Sequence, residues 1–195
     1  METNSEKIKK LFEQSSEVIL KSKILSEKID EAINLINSSL ENGNKILIFG
    51  NGGSAADAQH MAAEFIGRYL IERLSLPAIA LTTDTSILTA IGNDYDFNQI
   101  FSKQCESLVN NGDVIIAIST SGKSKNVILG IEEGKKRGAK IISLTGFDGA
   151  ILNEKSDICL KIPSNETPRI QEGHRIIIHI ICQFVENHFK DVKLL

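Results

Sequence analysis

The sequence predicts an α/β fold: a three-layer sandwich in which helices flank a five-stranded parallel sheet, preceded by a long helical extension. After residue 43, short runs rich in Ile, Val and Leu alternate with stretches of helical periodicity. Most of these runs are nearly continuous in apolar residues, which is typical of central parallel strands covered on both faces. The stretches between them suit the helical crossovers that parallel strands require.

Each element has its own sequence signal. The predicted strands are short apolar runs at residues 45–49, 78–82, 113–119, 140–145 and 158–162. A final helix is predicted from about residue 166 to 189. Residues 4–42 carry apolar side chains at intervals of three and four, so they form one long helix or two in series. This apolar stripe either pairs with a partner subunit or packs only on its own domain. The chain is therefore predicted to be a single domain over residues 1–195, with a helical extension (1–42) and an α/β core (43–195).

Composition narrows the class of function. The 195 residues carry a formal net charge of -3 and no long Lys or Arg run, which argues against a nucleic-acid partner. No run of 18 or more apolar residues predicts a membrane span. The three cysteines are dispersed and form no Cys-x-x-Cys motif, so we expect neither a disulfide framework nor a thiolate metal site. These features predict a cytoplasmic protein.

A serine-rich turn follows the third predicted strand. Residues 119–124, the serine loop, read Ser-Thr-Ser-Gly-Lys-Ser and pass from strand into helix. Hydroxyls, free backbone amides and a helix N-terminus together suit a phosphate group. The spacing differs from that of the P-loop, so nucleotide hydrolysis is disfavoured. The loop predicts a small phosphorylated ligand, with a solvated helix cap as the alternative.

A glycine-rich turn follows the first predicted strand. Residues 50–53, the glycine loop, read Gly-Asn-Gly-Gly and lead into a helical stretch. Glycines allow a ligand to approach the backbone, and Asn51 can bond hydroxyls or a carbonyl. On the following helix His60 and Glu64 are four residues apart and share a face. They are candidates for proton transfer or metal binding, with a surface pair as the alternative.

The last predicted helix carries polar residues within an apolar sequence. Arg169-Ile170-Gln171-Glu172 opens it, and His179 follows in a run of isoleucines. A histidine buried among isoleucines needs a polar partner. It is either a core histidine with an internal hydrogen bond or a residue of a functional site.

These motifs resemble those of a known family. The resemblance is carried by GNGGSAADAQH with Ala63-Glu64, by LTTDTS (81–86) and AIGND (90–94), by ISTSGKS (118–124), and by RIQE (169–172) with His179. In order and length they are similar to those of the phosphoheptose isomerases, the sedoheptulose 7-phosphate isomerase branch of the sugar isomerase (SIS) domain family. The resemblance covers the chain from its first helix to its last.

The resemblance implies an aldose-ketose isomerase that converts sedoheptulose 7-phosphate to D-glycero-D-manno-heptose 7-phosphate, the first step of heptose synthesis for bacterial surface polysaccharide. It implies Glu64 as base and His179 as acid, one Zn²⁺ per subunit, and a homotetramer with active sites at subunit interfaces. The implied zinc ligands are His60, Glu64, Gln171 and His179. The implied substrate-binding residues are Asn51, Gly52, Gly53, Glu64, Asn93, Asp94, Ser119, Thr120, Ser121, Ser124 and Gln171.

One spacing bears on the assembly. On a continuous helix Gln171 and His179 lie about 12 Å apart along the axis, too far to reach one ion with bonds near 2 Å. We therefore expect a neighbouring subunit to supply one of them, unless the helix begins after Gln171.

Two other readings of the same loops remain. One is a non-catalytic SIS scaffold that binds the replication initiator protein, which the presence of both Glu64 and His179 disfavours. The other is a sensor or an isomerase of a different sugar phosphate, such as arabinose 5-phosphate or hexulose 6-phosphate. Such a protein would share the serine loop, but we do not expect it to reproduce the set of Gln171, His60 and Glu64.

Overall fold

The computed structural model of the chain describes residues 2–191. Two helices precede the sheet: α1 (Asn4–Lys21) and α2 (Ser26–Glu41), separated by a 3₁₀ turn over Ser22–Leu25. The N-terminal periodic region is therefore two helices in series. Thr3 and Glu6 form a reciprocal capping box that fixes the start of α1.

The rest of the described chain alternates strands with helices. In order, the elements are β1 (Ile46–Gly50), α3 (Gly53–Ile66), β2 (Ala78–Ala80), α4 (Thr85–Asp94), α5 (Ser102–Leu108), β3 (Val114–Ser119), α6 (Lys125–Lys136), β4 (Lys140–Thr145), α7 (Ala150–Lys155), β5 (Ile158–Lys161) and α8 (Thr167–Phe189). The predicted strands all form, with bounds that differ by at most two residues. β2 ends at Ala80 rather than at residue 82 because the chain turns there towards α4.

The five strands form one parallel sheet in the order β2-β1-β3-β4-β5. Helices α2, α3 and α8 pack on one face, and α5, α6 and α7 pack on the other. The predicted three-layer sandwich is confirmed. Strand order reverses between β1 and β3, and such a switch point leaves a crevice at the carboxyl ends of the strands. The glycine loop follows β1 and the serine loop follows β3, so both predicted ligand loops border this crevice.

The helical extension has two different surfaces. α2 buries Ile29, Ile33 and Ile36 in the core beside the sheet. α1 lies against α8 but leaves Leu11 and Phe12 at least half exposed. The apolar stripe is therefore only partly covered by its own chain. Within residues 2–191, no helix combines the length and the hydropathy needed to cross a membrane.

Candidate functional site

The glycine loop and the serine loop are joined by a pair of amide side chains. Asn51 Nδ2 donates to Asn126 Oδ1, and Asn126 Nδ2 donates to Asn51 Oδ1, each at 2.9 Å. Asn126 lies in the first turn of α6 and is buried, whereas Asn51 is half-buried, so these bonds are partly shielded from water. The predicted ligand group Asn51 therefore fixes the spacing of the two loops with its side chain.

The serine loop is held in shape by its own polar groups. Ser124 directly precedes α6, yet its hydroxyl lies 3.1 Å from the Ser119 hydroxyl rather than on a helix amide. The Lys123 ammonium is bonded to Asp148 at 3.1 Å, on the exposed side. The loop thus directs hydroxyls towards the N-terminus of α6, an arrangement suited to a phosphate.

The predicted base on α3 and the predicted acid on α8 both lie beside His60, where the two helices meet. His60 Nε2 and Glu64 Oε1 are 2.9 Å apart, and the rings of His60 and His179 have centroids 5.1 Å apart. We call these three residues the catalytic cluster. All are partly buried. Burial, with smaller effects of His60 and Arg175, lowers the pKa of the His179 imidazole below its ordinary value. The cluster thus combines a carboxyl group with two imidazoles, side chains that can accept and donate protons.

Gln171 lies near the N-terminus of α8, two turns before His179. A methyl group added to Gly53 would approach Gln171 Nε2 to 2.4 Å, so this amide covers the start of α3. α8 begins at Thr167, before Gln171, and runs unbroken past His179. Gln171 and His179 therefore lie on one continuous helix. The exception that would let one chain supply both residues to a single ion, a helix that begins after Gln171, does not apply.

The comparisons with known proteins agree with this architecture. An SIS domain family model matches residues 7–146. A phosphoheptose isomerase from Citrifermentans bemidjiense is 56% identical over 162 residues, which is 83% of this chain and 84% of that protein.

Two solved structures are similar over almost the whole length. The phosphoheptose isomerase of Neisseria gonorrhoeae has a TM-score of 0.88 at 44% identity, covering 95% of this chain and 100% of that one. The phosphoheptose isomerase of Francisella tularensis has a TM-score of 0.92 at 39% identity, with the same coverage. The chain belongs to the phosphoheptose isomerases of the SIS domain family. The expected family and the expected enzyme class, an isomerase, are confirmed.

One polar contact of this phosphoheptose isomerase was absent from the predicted site. Arg175 binds the buried Asp57 carboxylate through two N–H groups, Nε at 2.8 Å and Nη2. Its third nitrogen, Nη1, lies 2.9 Å from His60 Nδ1. Arg175 stands one turn from both Gln171 and His179, so these three form a polar stripe on α8. With Gly53, Asp57 and Glu172, Arg175 lines a cleft of about 440 Å³.

The substrate-binding pair expected at the end of α4 stands apart. Asn93 and Asp94 are exposed, and Asn93 Nδ2 donates to Asp94 Oδ1 at 2.8 Å. Asn51 is hydrogen-bonded to Asn126, and Gln171 packs on Gly53. The predicted site residues of one chain therefore do not all converge on a single point. They fall into two groups: one at the two loops, where the phosphate end of the substrate is expected, and one at the catalytic cluster, where proton transfer is expected.

The donor chemistry of the catalytic cluster fits zinc. Two imidazoles and one carboxylate are ligands that Zn²⁺ accepts, and a tetrahedral ion with bonds of about 2.0–2.2 Å spaces its ligands about 3.3 Å apart. The His60–Glu64 separation of 2.9 Å is near that spacing. Within residues 2–191, however, no three His, Cys, Asp or Glu side chains are close enough to hold an ion as they stand. Zinc would therefore require a rotation of His179 or a ligand from another subunit.

Proposed function

We propose that the chain converts sedoheptulose 7-phosphate to D-glycero-D-manno-heptose 7-phosphate, the first step of heptose synthesis for a bacterial surface polysaccharide. The observation that carries the proposal is the catalytic cluster, in which Glu64 on α3 and His179 on α8 both lie beside the His60 ring. The phosphoheptose isomerase relatives support the substrate assignment.

The reaction moves a carbonyl from C2 to C1. A base removes a proton from C1, giving a cis-enediolate, and a proton is then delivered to C2. Glu64 is the base, and His179 donates a proton or a hydrogen bond to the substrate oxygen. Burial lowers the pKa of His179, which favours its neutral form. No nicotinamide or nucleotide is required for this rearrangement.

The serine loop binds the phosphate, and the glycine loop contacts the sugar. The hydroxyls of Ser119, Thr120, Ser121 and Ser124 surround the phosphate at the start of α6, while Asn51, Gly52 and Gly53 contact the sugar backbone. The buried amide pair between Asn51 and Asn126 keeps the loops at a fixed separation. Asn93, Asp94 and Gln171 complete the sugar contacts.

Zinc, one ion per subunit, is part of the proposal. His60, Glu64 and His179 would hold the ion, and the fourth ligand, Gln171, would come from a neighbouring subunit, because α8 separates Gln171 and His179 of one chain. A bound zinc ion supplies Lewis acidity that stabilises negative charge on the enediolate oxygens. A chelator that removes the metal is expected to lower turnover, and Zn²⁺ added back should restore it.

A length argument supports active sites shared between subunits of a homotetramer. Glu64 lies eleven residues after Gly53 on α3, a rise of about 16 Å. With C–C bonds near 1.5 Å, an extended seven-carbon sugar phosphate spans only about 10 Å from C1 to phosphorus. A substrate bound beside Gly53 is therefore shorter than the rise from Gly53 to Glu64 of the same chain, which favours a catalytic cluster supplied by a neighbouring subunit. The half-exposed stripe of α1 supports association between subunits.

The substrate assignment is tested with a panel of sugar phosphates. Purified protein is incubated with sedoheptulose 7-phosphate, arabinose 5-phosphate or hexulose 6-phosphate, and the products are separated and identified. The proposal is supported if, of the three substrates, sedoheptulose 7-phosphate is converted with the highest kcat/KM. A preference for either shorter sugar, or no turnover of any, would refute it.

Sharing of sites is tested by complementation. Ser124→Ala and Glu64→Gln variants are prepared separately, then co-expressed so that mixed oligomers form. If one subunit binds the phosphate and another provides the base, mixed oligomers of the two inactive variants should regain part of the wild-type activity. Mixed oligomers no more active than the two parents would place each site within one chain.

A further inference from the structure

An almost fully buried carboxylate lies beyond the catalytic cluster on α8. Glu186 is 2% exposed and accepts the backbone N–H groups of Tyr69 and Leu70, each at 2.7 Å, and of Ile71 at 3.1 Å. A buried charge requires such partners to offset its loss of hydration. Glu186 therefore anchors to α8 the stretch that follows α3. We call residues 67–75 the cover segment.

A buried arginine ties the same segment to α3. Arg73 Nη2 donates to the Glu64 carbonyl oxygen at 2.6 Å, and Nη1 donates to the carbonyl oxygens of Gly67 and Leu74, each at 2.9 Å. The last carbonyls of a helix have no partner within it, and Arg73 supplies one at the end of α3. Its Nε lies 3.8 Å from Glu186, so the two charges are paired across the segment.

The segment brings an aromatic ring to the catalytic cluster. The rings of Tyr69 and His179 have centroids 5.6 Å apart. His179 and Glu186 are seven residues apart on α8, two turns on the same face. Because Glu186 accepts the Tyr69 N–H, one helix fixes both the backbone of Tyr69 and the histidine that its ring contacts.

We propose that Glu186 and Arg73 are positioning residues that hold the cover segment across α8, so that the Tyr69 ring sets where the His179 imidazole stands relative to Glu64. Neither charged side chain contacts the catalytic groups with its own ionised end. Their effect passes through the Tyr69 ring and through the Glu64 carbonyl. The inference rests on the proposed isomerase function, in which Glu64 and His179 exchange protons with the substrate.

The kinetic test compares Glu186→Gln with Tyr69→Leu. Glutamine keeps the size of the side chain but turns an NH₂ group towards backbone donors, which releases the segment; leucine removes the ring and leaves the anchor intact. A displacement of about 1 Å at a catalytic group costs up to about 10²-fold in rate. Both variants should therefore lose kcat by about that order, with KM for sedoheptulose 7-phosphate within about threefold of wild type, because the phosphate end is untouched.

A spectroscopic readout follows the segment without reference to activity. The chain has two tyrosines, Tyr69 and Tyr95, and no tryptophan. In a Tyr95→Phe background, emission therefore reports on Tyr69 alone. Glu186→Gln and Arg73→Met in that background should make Tyr69 more accessible to acrylamide, whereas Arg73→Lys, which keeps the charge, should restore part of the protection.

Asp113→Asn is the matched control. Asp113 is a buried carboxylate that accepts the backbone N–H groups of Lys45 and Asn110, at the amino ends of β1 and β3, away from the two ligand loops. The Asp113→Asn variant should be less stable than the wild-type protein. Its kcat per folded molecule should equal that of wild type, and in the Tyr95→Phe background its acrylamide quenching of Tyr69 should be unchanged. The proposal is overturned if Glu186→Gln and Tyr69→Leu keep kcat, or if Tyr69 quenching is unchanged by Glu186→Gln. Absence of turnover in the wild-type enzyme would refute the proposed function instead, and quenching would still decide whether Glu186 anchors the segment.

Discussion

Gly122 of the serine loop offers a sharp test of how the phosphate end is built. Its φ of +64° lies in the left-handed region, and a methyl group there would approach the Gly149 carbonyl oxygen to 2.5 Å. The obstacle is backbone, which cannot rotate away as a side chain does. Gly122→Ala therefore has two effects: the strain of a left-handed alanine and the displacement of the serine loop.

A second glycine, Gly43, separates the stability cost of the left-handed backbone from the cost of displacing the serine loop. Gly43 has a φ of +77° and nothing within 4 Å of an added methyl group. Gly43→Ala measures the left-handed conformation alone, which costs about 1–2 kcal/mol. Gly122→Ala should lower the free energy of unfolding by about 1–3 kcal/mol more, the typical cost of overpacking. It should also raise KM for sedoheptulose 7-phosphate, because the serine hydroxyls move.

Both variants are measured by urea denaturation and by steady-state kinetics. We expect Gly43→Ala to keep the wild-type KM and Gly122→Ala to raise it by about tenfold or more, equivalent to about 1.4 kcal/mol of lost binding. Equal stability losses in the two variants, together with an unchanged KM for Gly122→Ala, would refute the reasoning.

Three further predictions concern single side chains. Asn126→Leu removes both bonds to the glycine loop, so unfolding free energy should fall by about 2 kcal/mol and KM should rise; an unchanged KM in kinetic assays would contradict this. Burial lowers the pKa of His174 to about 4, so at pH values below 6.5 the unfolded chain binds more protons at this residue than the folded chain does. Acidification from pH 7 to 5 should therefore lower the free energy of unfolding by about 2 kcal/mol through His174. His174→Gln should remove that part of the pH dependence in denaturation curves, whereas His188→Gln, at an exposed site, should not. Arg175→Met leaves the Asp57 carboxylate without its cation; because Arg175 is 43% exposed, we expect about 2 kcal/mol of destabilisation rather than the larger cost of a fully buried pair, and no loss on thermal unfolding would contradict it.

The local sequence pattern predicts much of the fold. Continuous apolar runs identify the strands because both faces of a parallel sheet are covered. The break at Ser22–Leu25 was not located, since the apolar periodicity continues through the 3₁₀ turn. The end of β2 was placed two residues late because Leu81 and Thr82 have strand-like side chains, while the turn towards α4 depends on tertiary packing.

The functional residues divide by the kind of information that finds them. The serine loop and the His60–Glu64 pair follow from residues close in sequence. Arg175 carries a helical-spacing signal, since it lies four residues from both Gln171 and His179 on an apolar helix. The contact of Glu186 with the cover segment has no such signal, because it joins groups more than a hundred residues apart.

The central claim is that Glu64 removes the C1 proton of a bound heptose phosphate and that His179 donates a proton or a hydrogen bond to the substrate oxygen. The most direct measurement is the reaction of sedoheptulose 7-phosphate in D₂O, followed by NMR for wild type, Glu64→Gln and His179→Gln. We expect the wild-type enzyme to form aldoheptose 7-phosphate with deuterium at C2, and both variants to lose turnover. Wild-type rates in both variants would contradict the account.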